Sequence, residues 1–205
     1  MWDKTGETHQ GEFDLAFFRL VPNLTILAPK DFKELEEMLE YGVNLDRPVV
    51  IRYPRGGEEK EFKKHEKIET GKAEIIKKGK DISIIAIGKM VARAEDVAVK
   101  LEKEGIDVEV INARFLKPLD KEKIKETITK TKKVITLEDG TIINGLGTAI
   151  EEVIVEEDLE GIKLKKLAYP DSFIKHGEVK ELEKIYGLDE ENIIKEVKKL
   201  INISK

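Results

Sequence analysis

The sequence predicts an α/β protein in two blocks, each built on a parallel sheet with helices against it. Three observations carry this. Apolar runs of strand length alternate with longer stretches whose apolar residues recur at helical spacing. Gly or Pro closes several of these runs, at Pro22, Gly42, Pro54 and Gly88. A polar, charged stretch without a clear period, residues 57–70, separates residues 1–56 from residues 71–205 and reads as an interdomain linker. The 205 residues suit one large domain or two small ones.

In the first block, residues 13–20 read as a short, mostly buried helix and residues 24–28 as a buried strand. Asp31 and Glu34 stand three apart, as in a capping box. The Asp31 side chain would accept from the Glu34 N–H while Glu34 reaches back. Phe32, Leu35, Met38 and Leu39 then share one helical face, and residues 48–53 form the next strand. The order helix–strand–helix–strand implies parallel pairing.

In the second block, strands are expected at residues 72–76, 81–87, 108–111, 133–137 and 162–167. Val91, Ala94, Ala98 and Leu101 mark one helix, and Asp120 caps another that runs through Thr129. Gly145-Leu146-Gly147 opens a third, reaching about Val155. Two closing helices cover residues 178–186 and 189–203, with Ile193, Ile194, Val197, Leu200 and Ile201 as the buried stripe of the last. The expectation is an open α/β sheet with helices on both faces.

Composition narrows the function. Charged residues make up 39% of the chain, against about 25% in an average soluble protein. Lys and Glu dominate them, a pattern of hyperthermophile proteins. The net charge is −5 with both signs interspersed, which argues against a nucleic-acid partner. There is no cysteine, hence no disulfide and no thiolate nucleophile. No apolar run approaches the roughly 20 residues of a membrane span, and the N-terminus lacks a signal peptide's apolar centre. A soluble, cytoplasmic protein is expected.

Two local runs carry the strongest chemical signals. Thr8-His9-Gln10-Gly11-Glu12-Phe13-Asp14 sets an imidazole among a hydroxyl, an amide and a glycine. His9 either acts on a proton or makes a structural hydrogen bond. Arg52-Tyr53-Pro54-Arg55-Gly56 leaves the carboxyl end of a predicted parallel strand, where open α/β sheets bind ligands. A guanidinium there suits a phosphate or carboxylate, or else lies on the surface against Tyr53. His65 is expected to be solvated in the linker, and His176 to cap a helix or line a cleft. Gly145-Leu146-Gly147 either offers N–H groups to an anion or allows tight helix–strand packing. Glu138-Asp139 reads as a solvated turn at a strand end, with an acid–base pair as the other option. No group has metal-ligand spacing.

Taken together the runs resemble the C-terminal portion of the 1-deoxy-D-xylulose-5-phosphate synthase family, thiamine diphosphate enzymes of the transketolase superfamily. The resemblance rests on residues 8–14, 28–31, 51–56, 112–120, 145–148 and 170–177, in the family's order. It implies the C-terminal part of a transketolase-type pyrimidine domain in residues 1–56, then a complete transketolase C-terminal-like open α/β domain in residues 71–205. It implies condensation of pyruvate with glyceraldehyde 3-phosphate, with His9 as catalytic residue and Arg55 on the aldehyde's phosphate, Arg52 being a second candidate. The family has an acidic residue four positions before this histidine, where this chain has Thr5. Thiamine diphosphate and magnesium are implied for the intact enzyme and none for this chain. The implied partners are the N-terminal portion of the enzyme, a second copy in a homodimer and small-molecule substrates. The chain alone is expected to be inactive, whether a piece of a longer protein or the small subunit of a split one. Half of a transketolase, a 2-oxoacid dehydrogenase β subunit and a non-catalytic dimerisation module are the alternatives.

Overall fold

In the computed structural model, which describes residues 10–54 and 57–202, the first block opens with α1 (Asp14–Arg19). Only Leu15 and Ala16 of this helix are buried, while Phe17 is 66% exposed, so the expected mostly buried helix is instead a surface one. Six residues make fewer than two turns and can turn only one face inward. β1 (Thr25–Leu27), α2 (Phe32–Val43) and β2 (Val49–Ile51) follow. β1 and β2 are parallel, with Thr25 opposite Val49 and Leu27 opposite Ile51.

Asp31 caps α2 by accepting from the Glu34 N–H at 2.8 Å. Glu34 reaches one residue further back than the capping pattern predicts, to the Lys30 N–H at 2.7 Å. The face turned inward also differs from the expected one. Phe32 and Leu39 are about half exposed, and the fully buried pair is Met38 and Glu34. A carboxylate can replace an apolar residue there because cations surround it, as described below.

The second block contains β3 (Glu74–Lys77), β4 (Ile82–Ala86), α3 (Met90–Glu102), β5 (Val108–Asn112), β6 (Phe115–Lys117), α4 (Lys121–Thr131), β7 (Lys133–Thr141), α5 (Leu146–Glu156), β8 (Lys163–Tyr169), α6 (Val179–Ile185) and α7 (Glu190–Leu200). Asp120 caps α4, accepting from the Lys123 N–H at 3.1 Å. The expected buried stripe of α7 holds: Ile193 and Val197 are buried, and Ile194, Leu200 and Ile201 lean on the same core.

β3-β5-β4-β7-β8 form one sheet. β4, β5, β7 and β8 run parallel, and β3 lies antiparallel on the edge. Both faces are covered. Ile82, Ile84, Val108 and Leu137 meet α3, α6 and α7 on one side. Ile85, Ile111 and Val134 meet α4, α5 and Leu15 on the other. The chain leaves β4 toward β5 on one side and later returns to β7 on the other. The strand order therefore reverses between β4 and β7, and a crevice opens at their carboxyl ends.

The two blocks interlock. β6, a strand the sequence does not announce, pairs antiparallel with β1, so the first sheet reads β2-β1-β6. A buried ionic cluster backs this joint. Lys30 Nζ lies 3.1 Å from Glu34 Oε1 and 2.6 Å from Glu74 Oε2. Arg114 Nε donates to Glu34 at 2.8 Å and the Asn112 amide at 3.0 Å.

Residues 57–70 are correspondingly tied down rather than free. Phe62 and Ile68 are buried, the Phe62 N–H donates to Asp31 at 3.1 Å, and Arg114 donates to the Glu66 carbonyl at 2.8 Å. His65, expected to be solvated, instead lies 2.7 Å from Asp31 with its side chain largely covered. No helix among the described residues is long and apolar enough to cross a membrane.

Candidate functional site

His9, Thr5, Arg55 and Gly56 lie outside the described residues; Arg52 lies within them. The Arg52 N–H donates to the Leu27 carbonyl at 2.8 Å, which extends the β1–β2 pairing by one bond and fixes where β2 ends. From there the side chain crosses into the crevice between β4 and β7. Its NH1 donates to Asp139 Oδ1, and its NH2 to the Asp139 carbonyl at 3.2 Å. Arg52 thus faces an internal carboxylate, not an open anion site.

Asp139 also has Lys89 Nζ at 3.8 Å from Oδ2. Lys89 follows Gly88, whose φ of +62° makes the sharp exit from β4. Its Nζ donates to Glu183 Oε1 of α6 at 2.8 Å. Arg93 of α3 meets the other oxygen of Glu183 at 2.7 Å and holds Glu59 with two bonds of 3.0 and 3.1 Å. Positive and negative groups alternate from Arg52 to Glu59. Burial raises the cost of ionising Asp139, but the Arg52 guanidinium and the Lys89 ammonium outweigh it and hold the carboxyl below its usual range.

Glu138 and Asp139 are not a solvated turn. Both are 1% exposed and sit inside β7, which continues past the expected end at residue 137. Their side chains leave opposite faces of the strand. Glu138 turns to the start of α5, accepting from Leu146 N–H at 2.9 Å and Gly147 N–H at 3.0 Å. Gly145-Leu146-Gly147 therefore does present N–H groups to an anion, and the anion is this internal carboxylate. Burial pushes the Glu138 carboxyl up to about 7, against the opposing pull of the two N–H groups. A Cβ on Gly145 would lie 2.3 Å from Glu138 Oε2. Gly145→Ala is expected to expel the carboxylate, orphan two buried N–H groups and cost on the order of 2 kcal/mol in a urea unfolding titration.

The end of β7 also receives the segment that follows His9. The Thr141 N–H donates to the Glu12 carbonyl at 2.8 Å. Asn144 donates to the Ala16 carbonyl at 2.6 Å and accepts from Arg19 at 2.9 Å. Phe13 meets Phe173 edge-on at 5.6 Å between ring centroids. Glu12 is buried, and that burial lifts its carboxyl above the ordinary value. One strand end therefore touches both segments that the sequence singles out. His176 is exposed and does not cap α6, whose cap residue is Glu178 without a side-chain bond.

Lys89, Arg93 and Glu183 carry no sequence signal. Each is a single charge in an ordinary helix or turn, and only the topology brings them together. Among the described residues no group of His, Asp or Glu could hold a metal ion. Asp139 and Glu183 are taken by Arg52, Lys89 and Arg93, and Glu138 by α5. These residues do not fit the diphosphate and magnesium end of a thiamine cofactor.

Models of known families match both blocks. The transketolase pyrimidine binding domain matches residues 2–58, and the transketolase C-terminal domain matches residues 71–193. The 1-deoxy-D-xylulose-5-phosphate synthase of Halothermothrix orenii is 47% identical over 200 residues, covering 96% of this chain and 31% of that protein. The Clostridium tetani enzyme of the same name is 43% identical over 196 residues, covering 96% and 32%. A solved structure described as "Split gene transketolase, inactive beta4 tetramer" aligns with a TM-score of 0.86 at 33% identity, covering 97% of this chain and 64% of that one. The chain spans about a third of the length of these curated relatives.

Proposed function

Because the chain belongs to the transketolase family of thiamine diphosphate-dependent enzymes, we propose that it supplies the C-terminal portion of a 1-deoxy-D-xylulose-5-phosphate synthase. The observation that carries this reading is 47% identity across both family domains to an enzyme of that name. In the proposed reaction, pyruvate loses carbon dioxide and its two-carbon remainder joins glyceraldehyde 3-phosphate. The first block, residues 1–56, is the end of the pyrimidine-binding domain, and residues 71–205 are the C-terminal domain.

His9 handles a proton at the reacting carbons, and Arg55 binds the phosphate of the aldehyde through its fork of donors. Arg52, engaged by Asp139, contributes by holding the end of β2 and not as a direct ligand. Thiamine diphosphate and magnesium are held by the remainder of the enzyme, supplied by an N-terminal portion that pairs with this chain, and the cofactor carries the carbon chemistry. This chain alone does not turn over. A second copy completes a homodimer, as the family resemblance implies, and the complex works in the cytoplasm.

The similarity to a split-gene transketolase favours one second reading, the small subunit of a two-carbon transferase acting on ketose donors. Substrate choice in the complex with the N-terminal portion separates them. The synthase reading expects product from pyruvate and glyceraldehyde 3-phosphate. Transfer from a ketose phosphate with no pyruvate requirement contradicts it and supports the second.

A further inference from the structure

We infer that Asp139 and Glu183 are positioning residues for the aldehyde substrate, holding Arg52 on one side of the segment that follows β2 and, through Arg93, Glu59 on the other. The inference rests on the proposed role of Arg55 at the aldehyde's phosphate. At the near end, Asp139 engages Arg52 through a side-chain oxygen and its carbonyl. At the far end, Glu58 accepts from the Phe32 N–H at 2.8 Å, and Glu59 is gripped twice by Arg93. The two ends are joined through the crevice by Lys89 and Glu183, at 3.8 Å from Asp139 and 2.8 Å from Glu183. In sequence, residues 53–57 fall between these two anchors.

Asp139 and Glu183 are 1% and 2% exposed, so substrate cannot touch either. Buried ion pairs add little stability over well-matched apolar side chains; here each pair instead links separate elements, the end of β2 to β7, the start of α3 to α6, and α3 to residue 59. The crevice at the strand-order reversal, where open α/β sheets hold ligands, is here filled by this chain of charges. Its occupant is internal, and it transmits the position of α6 and α3 to the end of β2.

Simple electrostatics predicts the opposite sign. If Asp139 only competed with substrate for Arg52, its neutralisation would free a guanidinium and tighten phosphate binding. Positioning predicts weaker binding of the aldehyde, with pyruvate little affected, since small displacements of binding groups cost about 10- to 100-fold.

The test uses the complex with the N-terminal portion, varying each substrate in turn. Asp139→Asn and Glu183→Gln are expected to raise the aldehyde KM about 10- to 100-fold, with the pyruvate KM within about twofold of wild type, and Asp139→Glu to recover part of the loss. Glu59→Gln, at the solvent end of the chain of charges, keeps the buried groups paired. It is expected to raise the aldehyde KM several-fold at an unchanged unfolding midpoint. A lowered or unchanged aldehyde KM in Asp139→Asn and Glu59→Gln overturns the inference, as does an equal change for both substrates. If Arg55→Gln leaves the aldehyde KM unchanged, or the wild-type complex turns nothing over, the proposed function itself fails and takes this inference with it.

Discussion

Replacing Glu34 by alanine is expected to lower the stability of the chain by about 3–5 kcal/mol, the cost of removing one partner from a buried ion pair. Glu34 is fully buried and accepts from Lys30 N, Lys30 Nζ, Asn112 Nδ2 and Arg114 Nε. Its loss leaves two cations sharing Glu74 in a site closed to water. The same cluster joins α2 and the loop that leads into it from β1 to β3 and the end of β5 in the second block, so both sheets loosen together. Urea unfolding at pH 7 measures the change. A loss below about 1 kcal/mol would mean that solvent reaches the site and repairs it. Glu36→Ala, two residues on, breaks only the exposed contact with Lys33 and should leave the midpoint unchanged.

The second large effect is a dependence of stability on pH set by Glu138. Its folded carboxyl titrates at about 7, above the ordinary 4.5, because burial disfavours the charge more than the α5 N–H groups favour it. Between those values the folded chain holds a proton that the unfolded chain has lost. The stabilisation is therefore fully present below about pH 4.5 and is lost as pH rises through about 7, a total of about 3 kcal/mol. Asp139 has the opposite sign. Held below its usual range, it stabilises at higher pH and loses that contribution in acid, outside the window of Glu138. Unfolding free energies at pH 5 and pH 8 should therefore differ less in Glu138→Gln than in wild type. Equal pH dependence of the two would show that Glu138 ionises in the folded chain as freely as in water.

The parts of this fold that were legible are those with local causes. The capping by Asp31 and Asp120, the apolar stripe of α7 and the parallel strands of the second block follow from neighbours in sequence. What was not legible depends on partners far along the chain. Glu138-Asp139 looks like a strand end because two acids follow an apolar run. Its partners, Arg52 and the start of α5, lie 87 and eight or nine positions away. β6 is three residues long and precedes a proline, and it forms only because β1 of the other block offers an edge. His65 and the segment around it look solvated until Asp31 and Arg114 are placed beside them. Within the candidate site, the motif holding Arg52 was visible and its counterion was not.

Thiamine-dependent release of carbon dioxide from pyruvate, measured for this chain, for a matched N-terminal portion and for their mixture, tests the central claim most directly. The account predicts no release by either chain alone, and steady turnover to a five-carbon ketose phosphate by the mixture when glyceraldehyde 3-phosphate is present. Turnover by this chain alone, or none from a mixture that forms a stable complex, would contradict it.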